Sequence, residues 1–139
     1  MVHRIRDLKK ALDEQADGQH GANFIAIGDF NTLGMDVTYY DPDVAEADEI
    51  ERYERVFGAR DLKRLSKSHE YTWWNGTDSS YEPSNLDHAF ASEHLDFETL
   101  DNGAELTVKG WPEESGDAAK TDWIERYSDD ALLYGVVTK

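Results

Sequence analysis

The chain's 139 residues suffice for one domain with a single core, and 39% of them are hydrophobic, including four Trp, seven Tyr and five Phe. This aromatic content excludes a disordered chain, and no apolar run approaches the ~20 residues that a transmembrane segment requires. With no cysteine and a net charge of −16, the chain has no disulfide or thiolate metal site, and its overall field opposes nucleic acid.

The first half of the chain is predicted to alternate helices and strands. Residues 3–16 carry apolar side chains at helical spacing and predict an amphipathic helix, not a signal peptide, so the cellular location stays open. The apolar run at residues 24–27 predicts a buried strand. Residues 44–57 predict a second helix that ends at Gly58, after a turn and helix cap at residues 41–43. This order favours an α/β or α+β architecture.

The second half is predicted to be richer in strands. Leu62 and Leu65 lie three apart within the basic stretch 60–67, which predicts a short helical turn packed on the core. Residues 71–74 are β-rich in composition, and Asn75-Gly76 predicts a turn. The remaining segments are predicted as strands at residues 86–92, 97–100, 105–108 and 131–137, a loop at 111–120 and a helical turn at 121–127.

Polar clusters flank three of the predicted strands. Gly-Asp-Phe-Asn at residues 28–31 ends the first strand, and Asp29 and Asn31 point the same way on an extended backbone, although the same residues also fit a simple Asx-type turn. The other clusters are Ser-Asn-Leu-Asp-His at residues 84–88 and Ser-Asp-Asp at residues 128–130. If the strand ends meet, their oxygens form a pocket suited to Mg²⁺ or Mn²⁺.

These three motifs, in this order, resemble the second half of the endonuclease/exonuclease/phosphatase superfamily, which includes the deoxyribonuclease I-like enzymes. That family carries Gly-Asp-(Phe/Leu)-Asn, then a strand with Asp near its start, then Ser-Asp-His before the last strand. The resemblance runs over residues 3–137. It implies that residues 1–139 form one α+β domain, the C-terminal half of a four-layer α/β/β/α sandwich with mostly antiparallel sheet and flanking helices.

The resemblance also implies a chemistry, the Mg²⁺- or Mn²⁺-assisted hydrolysis of a phosphoester. Asp29 would orient or deprotonate the attacking water, and Asn31 would bind the phosphate or hold the geometry of the metal site. Asp87 would orient a catalytic imidazole, and Asp129 would approach the metal together with Asp29. His88 follows Asp87 along the strand, points to the opposite face and is expected to be structural.

Two departures from the family pattern predict an impaired domain. Asp130 stands at the position of the family's catalytic His, so that Asp87 and Asp130 would face each other as two carboxylates. The family's Gly-Asp-Phe-Asn motif lies in the middle of a longer chain, whose first half supplies the main Glu ligand of the metal and one of the two sheets. We therefore expect an apolar face on this chain that pairs with a first-half chain or with a second copy.

The sequence leaves three functions open. The first is an incomplete, impaired Mg²⁺-dependent phosphoesterase or nuclease-like domain, the second a non-catalytic binding or scaffold domain that retains the fold, and the third an unrelated acidic interaction domain. The substrate is not specified, although a basic cluster at Arg60, Lys63, Arg64 and Lys67 leaves nucleic acid possible. Trp73 and Trp74 are expected in the core.

Overall fold

The computed structural model describes residues 1–17, 21–33 and 45–139, and these residues form a mixed α/β structure. They contain three α-helices, two short 3₁₀ helices and two small antiparallel sheets, as the prediction of an α+β class requires. The helices and strands are α1 Val2–Asp13, β1 Ile25–Asp29, α2 Glu46–Gly58, β2 Leu62–Arg64, β3 Asp87–Ser92, β4 Leu106–Lys109, α3 Asp117–Arg126 and β5 Leu132–Gly135, with 3₁₀ helices at Asp101–Gly103 and Trp111–Glu113.

The larger sheet has β3 at its centre, between β1 and β2. β1 runs antiparallel to β3, with Ile25 opposite Ala91 and Asp29 opposite Asp87. β2 pairs with the other edge of β3 and is also antiparallel. Five of the six residues of β3, His88 to Ser92, are buried, because this strand is covered on both of its faces.

Helices α1 and α2 cover one face of this sheet. Phe90 of β3 lies at the centre of that face, with its ring centroid 4.6 Å from that of Phe57 and 5.3 Å from that of Phe30. Val2, Tyr53 and Leu62 complete the same buried cluster. The aromatic side chains of α2 and of the Gly-Asp-Phe-Asn segment therefore fix the sheet to the helices.

A second apolar cluster lies on the other face of β3, around Ala89 and Ala91. Leu65 and Leu106 pack there, and Leu106 belongs to the smaller sheet formed by β4 and β5. The chain after β2 joins the two sheets, because Lys67 forms a parallel bridge with Leu106 and the amide of Ser68 donates to the carbonyl of Leu106 at 2.8 Å.

The helical turn predicted at residues 60–67 is wrong, since Leu62–Arg64 form strand β2. The three-residue spacing of Leu62 and Leu65 puts them on one face of a helix but on opposite faces of a strand. Leu62 packs in the cluster under the helices and Leu65 in the cluster on the other side of the sheet. An extended chain places one leucine in each of the two apolar clusters, which a helical turn could not do. Packing against the rest of the protein therefore favours the strand over the helical turn.

Other boundaries also differ from the prediction. The strand predicted at residues 97–100 is a single bridge between Phe97 and Val137, and the β-rich stretch 71–74 forms only isolated bridges through Trp73. Helix α3 starts inside the predicted loop 111–120. The turn predicted at residues 41–43 lies outside the described residues, and α2 follows Ala45.

Helix α1 buries a charged residue instead of two of its leucines. Lys9 is 1% exposed and pairs with Asp13 at 2.5 Å, and Asp13 also accepts the amide of Ala22 at 2.8 Å. Leu8 and Leu12 are exposed, contrary to the single apolar stripe predicted for this helix. The lysine stem supplies the apolar contact and its ammonium neutralises Asp13, whose carboxylate ties the helix to the segment before β1. Within the described ranges, each helix is too short or too polar to span a bilayer.

His88 is buried on the helix-covered face, as its structural assignment implies. Its Nε2 lies 3.0 Å from Oγ1 of Thr32, its ring contacts the ring of Phe30, and its Nδ1 has no partner among the described residues. Burial lowers the pKa of His88 to about 3, and the charges of Lys67 and Arg64 act in the same direction.

His88 is expected to make the fold sensitive to acid. Below about pH 6.5 the unfolded chain binds a proton at His88 that the folded chain rejects, so the free energy of unfolding falls by at most ~1.4 kcal/mol per pH unit, until the pH approaches the folded pKa. Urea titrations between pH 7 and pH 4 will measure this slope. His88→Gln is expected to flatten it, while the carboxyl groups titrate alike in both proteins. Parallel pH profiles for the two proteins would contradict this assignment.

Candidate functional site

The candidate site is built on the last residue pair of the β1–β3 ladder, where Asp29 lies opposite Asp87. Side chains directly opposite each other on antiparallel strands share a face, with Cβ atoms about 5 Å apart. Burial raises the pKa of the Asp87 carboxyl, and the charge of Asp29 adds to this rise, whereas a hydrogen bond with Thr72 and the charge of Lys67 oppose it. Two like charges are thus held together at one end of the sheet.

Asn31 orients Asp29. The backbone amide of Asn31 donates to Oδ1 of Asp29 at 2.6 Å, and its side-chain Nδ2 donates to Oδ2 at 3.1 Å. Asn31 adopts a left-handed backbone conformation (φ 52°), and this turn sends Phe30 into the core. The Asx-type turn and the functional interpretation are therefore compatible, because the turn holds the carboxylate of Asp29 in place.

Asp129 and Asp130 face different surroundings. Trp73 Nε1 donates to Oδ2 of Asp129 at 3.0 Å, and Trp111 Nε1 donates to its carbonyl at 3.0 Å. Asp130 is exposed and forms a bridge with Trp73. Partial burial raises the pKa of Asp130, and the charges of Asp129, Asp87 and Asp29 raise it further.

The structure thus brings the three polar motifs into one electrostatic cluster. Asp29 and Asp87 are paired by strand register, and Asp130 lies within the field of both. In the part of the chain that the structure describes, no three His, Asp or Glu side chains are arranged so that they could hold a metal ion. The donor chemistry suits Mg²⁺ or Mn²⁺, but the arrangement of these side chains alone does not fit a metal ion.

The basic cluster of residues 60–67 is largely neutralised within the chain. Lys63 pairs with Glu105 at 3.5 Å and Arg64 with Glu54 at 2.6 Å. Lys67 Nζ donates to Oδ1 of Asn85 at 2.6 Å and to the carbonyls of Asp87 and Glu70 at 2.7 and 2.9 Å, and burial lowers its pKa to about 8. These cations are engaged with the protein, which weakens the case for a nucleic-acid surface at this position.

The sequence does not indicate the internal hydrogen-bonding roles of Thr72 and Lys67. Thr72 is fully buried and hydrogen-bonds the segment before β3, and Lys67 reaches the same segment from another side. Trp74 is 8% exposed, which agrees with the prediction that it lies in the core, whereas Trp73 is only half-buried and donates to Asp129. A polar residue between aromatic ones in a β-rich stretch was the available signal.

Comparison of the chain with protein-family models, with curated proteins and with solved structures gave no significant match. Function is therefore inferred from the geometry of this chain.

Removal of the charge of Asp130 is expected to stabilise the fold at neutral pH. When the pKa of a carboxyl is higher in the folded than in the unfolded state, its ionisation destabilises the folded protein. Asp130→Asn removes this charge and should therefore raise the free energy of unfolding at pH 7 by roughly 0.5 kcal/mol, allowing for solvent screening. The gain should vanish below about pH 4, where the carboxyl is protonated in both states. Urea unfolding at the two pH values measures both effects.

Asp122→Asn is the matched control, because Asp122 pairs with Arg126 at 2.8 Å. Its removal takes away an attraction and should lower stability slightly. If Asp130→Asn lowers the free energy of unfolding as Asp122→Asn does, Asp130 is not subject to net repulsion.

Proposed function

We propose that this chain is the C-terminal half of a metal-dependent phosphoester hydrolase of the endonuclease/exonuclease/phosphatase type, incomplete and impaired as it stands. One observation carries the proposal: three motifs that are far apart in the sequence meet, since Asp29 lies opposite Asp87 in the β1–β3 ladder and Thr72 binds both the amide of Asp87 and the amide of Ala131, which follows Asp130. Unrelated acidic loops have no reason to meet in this way, whereas the resemblance requires it.

The roles follow from the surroundings of each side chain. Asp29, held by Asn31 through two hydrogen bonds, is the group that orients or deprotonates the attacking water. Asp87 occupies the position of the carboxylate that orients a catalytic imidazole, but the position of the imidazole itself is taken by Asp130. Asp129 is the remaining carboxylate assigned to the metal, with one oxygen bound to Trp73.

A complete site requires ligands from outside the described residues. Asp29 and Asp87 lie opposite each other in the β1–β3 ladder, and residues 1–17, 21–33 and 45–139 contain no group of three His, Asp or Glu side chains that could hold a metal ion. We propose that ligands from outside these residues, including those of a partner chain, complete a site for Mg²⁺ or Mn²⁺. The substrate is a phosphoester whose type these residues do not define.

The partner is proposed to cover the face of β1 that carries Asp29. Ala26 packs towards the helices, so Ile25, Ile27 and Asp29 point to the opposite face. Ile25 and Ile27 are 42% and 53% exposed there. The helices cover only one side of the sheet at β1, which is the arrangement expected of one half of a four-layer sandwich.

Restoration of the imidazole tests the enzymatic proposal. With a first-half chain present to complete the site, Asp130→His is expected to raise the Mg²⁺-dependent hydrolysis of bis(p-nitrophenyl) phosphate by roughly 10²-fold over the same assembly without the substitution, since a positioned acid–base group contributes about 10²–10⁴-fold. The double variant Asp130→His/Asp87→Asn should lose this gain, because the imidazole then lacks its orienting carboxylate. An abasic DNA duplex assayed in parallel reports whether nucleic acid is accepted. No gain in any assay would refute the enzymatic proposal.

The exposed isoleucines test the proposed partner face. Ile25→Ser/Ile27→Ser is expected to reduce both the fluorescence of 8-anilinonaphthalene-1-sulfonate and the self-association measured by sedimentation velocity, because it removes the apolar surface of β1. Leu8→Ser/Leu12→Ser on α1 is the matched control, since these side chains are similarly exposed but lie on a helix. Equal effects of the two variants would show that β1 is not a specific interaction face.

A non-catalytic binding domain is the second candidate, and two observations favour it. Asp130 is a carboxylate where the family has an imidazole. The backbone amide and the side-chain Nδ2 of Asn31 both donate to Asp29 and not to a ligand. On this alternative the fold and the partner face are retained while the chemistry is lost. It predicts that the Ile25 and Ile27 variant abolishes association and that Asp130→His restores no hydrolysis.

A further inference from the structure

Thr72 lies at the point where the chain segments of the candidate site meet. It is completely buried, and its Oγ1 accepts the amides of Leu86 at 3.2 Å and Asp87 at 3.0 Å. Its own backbone amide donates to the carbonyl of Ser84 at 2.9 Å, and its carbonyl accepts the amide of Ala131 at 2.7 Å. One residue thus connects the segment that leads into β3 with the segment that carries Asp130.

The segment that Thr72 holds is also fixed from two other sides. The amide of Phe30 donates to the carbonyl of Leu86 at 2.8 Å, and the hydroxyl of Thr32 donates to the carbonyl of Asn85. Lys67 Nζ donates to the carbonyl of Asp87 at 2.7 Å. The carbonyls of residues 85–87 therefore accept from the Gly-Asp-Phe-Asn turn region and from Lys67, while the amides of residues 86 and 87 share one acceptor, the hydroxyl of Thr72.

We propose that Thr72 is a positioning residue for Asp87: its hydroxyl accepts the amides of Leu86 and Asp87 and so fixes the backbone from which the Asp87 side chain faces Asp29. Like charges opposite each other on a sheet repel and drive their side chains apart. If the hydroxyl of Thr72 no longer holds the backbone of Asp87, we expect the side chain to exchange among rotamers that move it away from Asp29. The catalytic significance of this orientation rests on the proposed function, but the orientation itself does not.

The test measures the side-chain conformation of Asp87. Three-bond couplings from its ¹³Cγ to the backbone ¹⁵N and ¹³C′ report the χ1 angle, and the unmodified chain and Thr72→Ser should both show one rotamer. Thr72→Val has the same shape but no hydroxyl, and Asp87 should then average over rotamers. Asp29, held by Asn31, is the internal control and should keep its rotamer in every variant.

Amide hydrogen exchange separates positioning from general destabilisation. In Thr72→Val the amides of Leu86 and Asp87 lose their acceptor and should exchange about fivefold faster, because one hydrogen bond contributes about 1 kcal/mol. The amide of Ala131 bonds to the backbone carbonyl of Thr72 and should keep its protection. Equal acceleration at all three amides, or a single Asp87 rotamer in Thr72→Val, would overturn the inference.

Further outcomes distinguish a failure of the Thr72 inference from misfolding of a variant and from a failure of the enzymatic proposal. If Asp87 averages over rotamers already in the unmodified chain, Thr72 does not position it, and no variant has to fold for this result. If Thr72→Val releases Asp87 but Asp130→His shows no hydrolysis, the positioning role is supported and the enzymatic proposal alone fails. If Asp130→His is active, the added Thr72→Val change should lower kcat more than it raises KM, and Thr72→Ser should retain the activity.

Discussion

The pairing of β3 with β1 on one side and β2 on the other is the constraint on which the rest of the structure depends. Side chains alternate between the two faces of a strand, so a slip of one residue would exchange Phe90 and Ala89 between the aromatic cluster under the helices and the small-residue cluster opposite. The volumes of these two side chains fix the register. The same register places Asp29 opposite Asp87, and the candidate site is therefore a consequence of core packing.

The chain tolerates this pair of carboxylates because polar groups surround it. Asn31 binds Asp29, and Thr72 and Lys67 bind the Asp87 segment. Lys67 is a cation committed to the interior in a chain of net charge −16. On an acidic surface that serves only solubility, carboxylates are expected to lie apart from one another. Here hydrogen bonds with Asn31, Thr72 and Lys67 hold the segments of Asp29 and Asp87 together. This organisation is the reason for preferring a functional interpretation over a solvated acidic end of a sheet.

The sequence predicted what local patterns control and missed what distant contacts control. The apolar run before Gly28, the amphipathic α2 and the alternation in β3 identified these elements, although β1 is not the buried strand that was predicted, since Ile25 and Ile27 are exposed. The motifs indicate Asp29, Asn31, Asp87, Asp129 and Asp130 as site residues, and this stays a prediction. Strand β2 was missed because the spacing of Leu62 and Leu65 has a helical and an extended explanation. Thr72 could not be assigned, because its partners lie fourteen and fifteen residues away and no periodicity links them.

The position of β1 has a consequence for the handling of the protein. β1 is an edge strand of its sheet with two exposed isoleucines, a combination that favours stacking of one sheet edge on another. Mutual repulsion between chains of charge −16 opposes such stacking in dilute buffer. At an ionic strength of ~0.15 M the Debye length shrinks to about 8 Å, and added divalent cations screen the chains further. The colloidal stability of the protein therefore declines under the same ionic conditions in which a metal-dependent activity would be assayed.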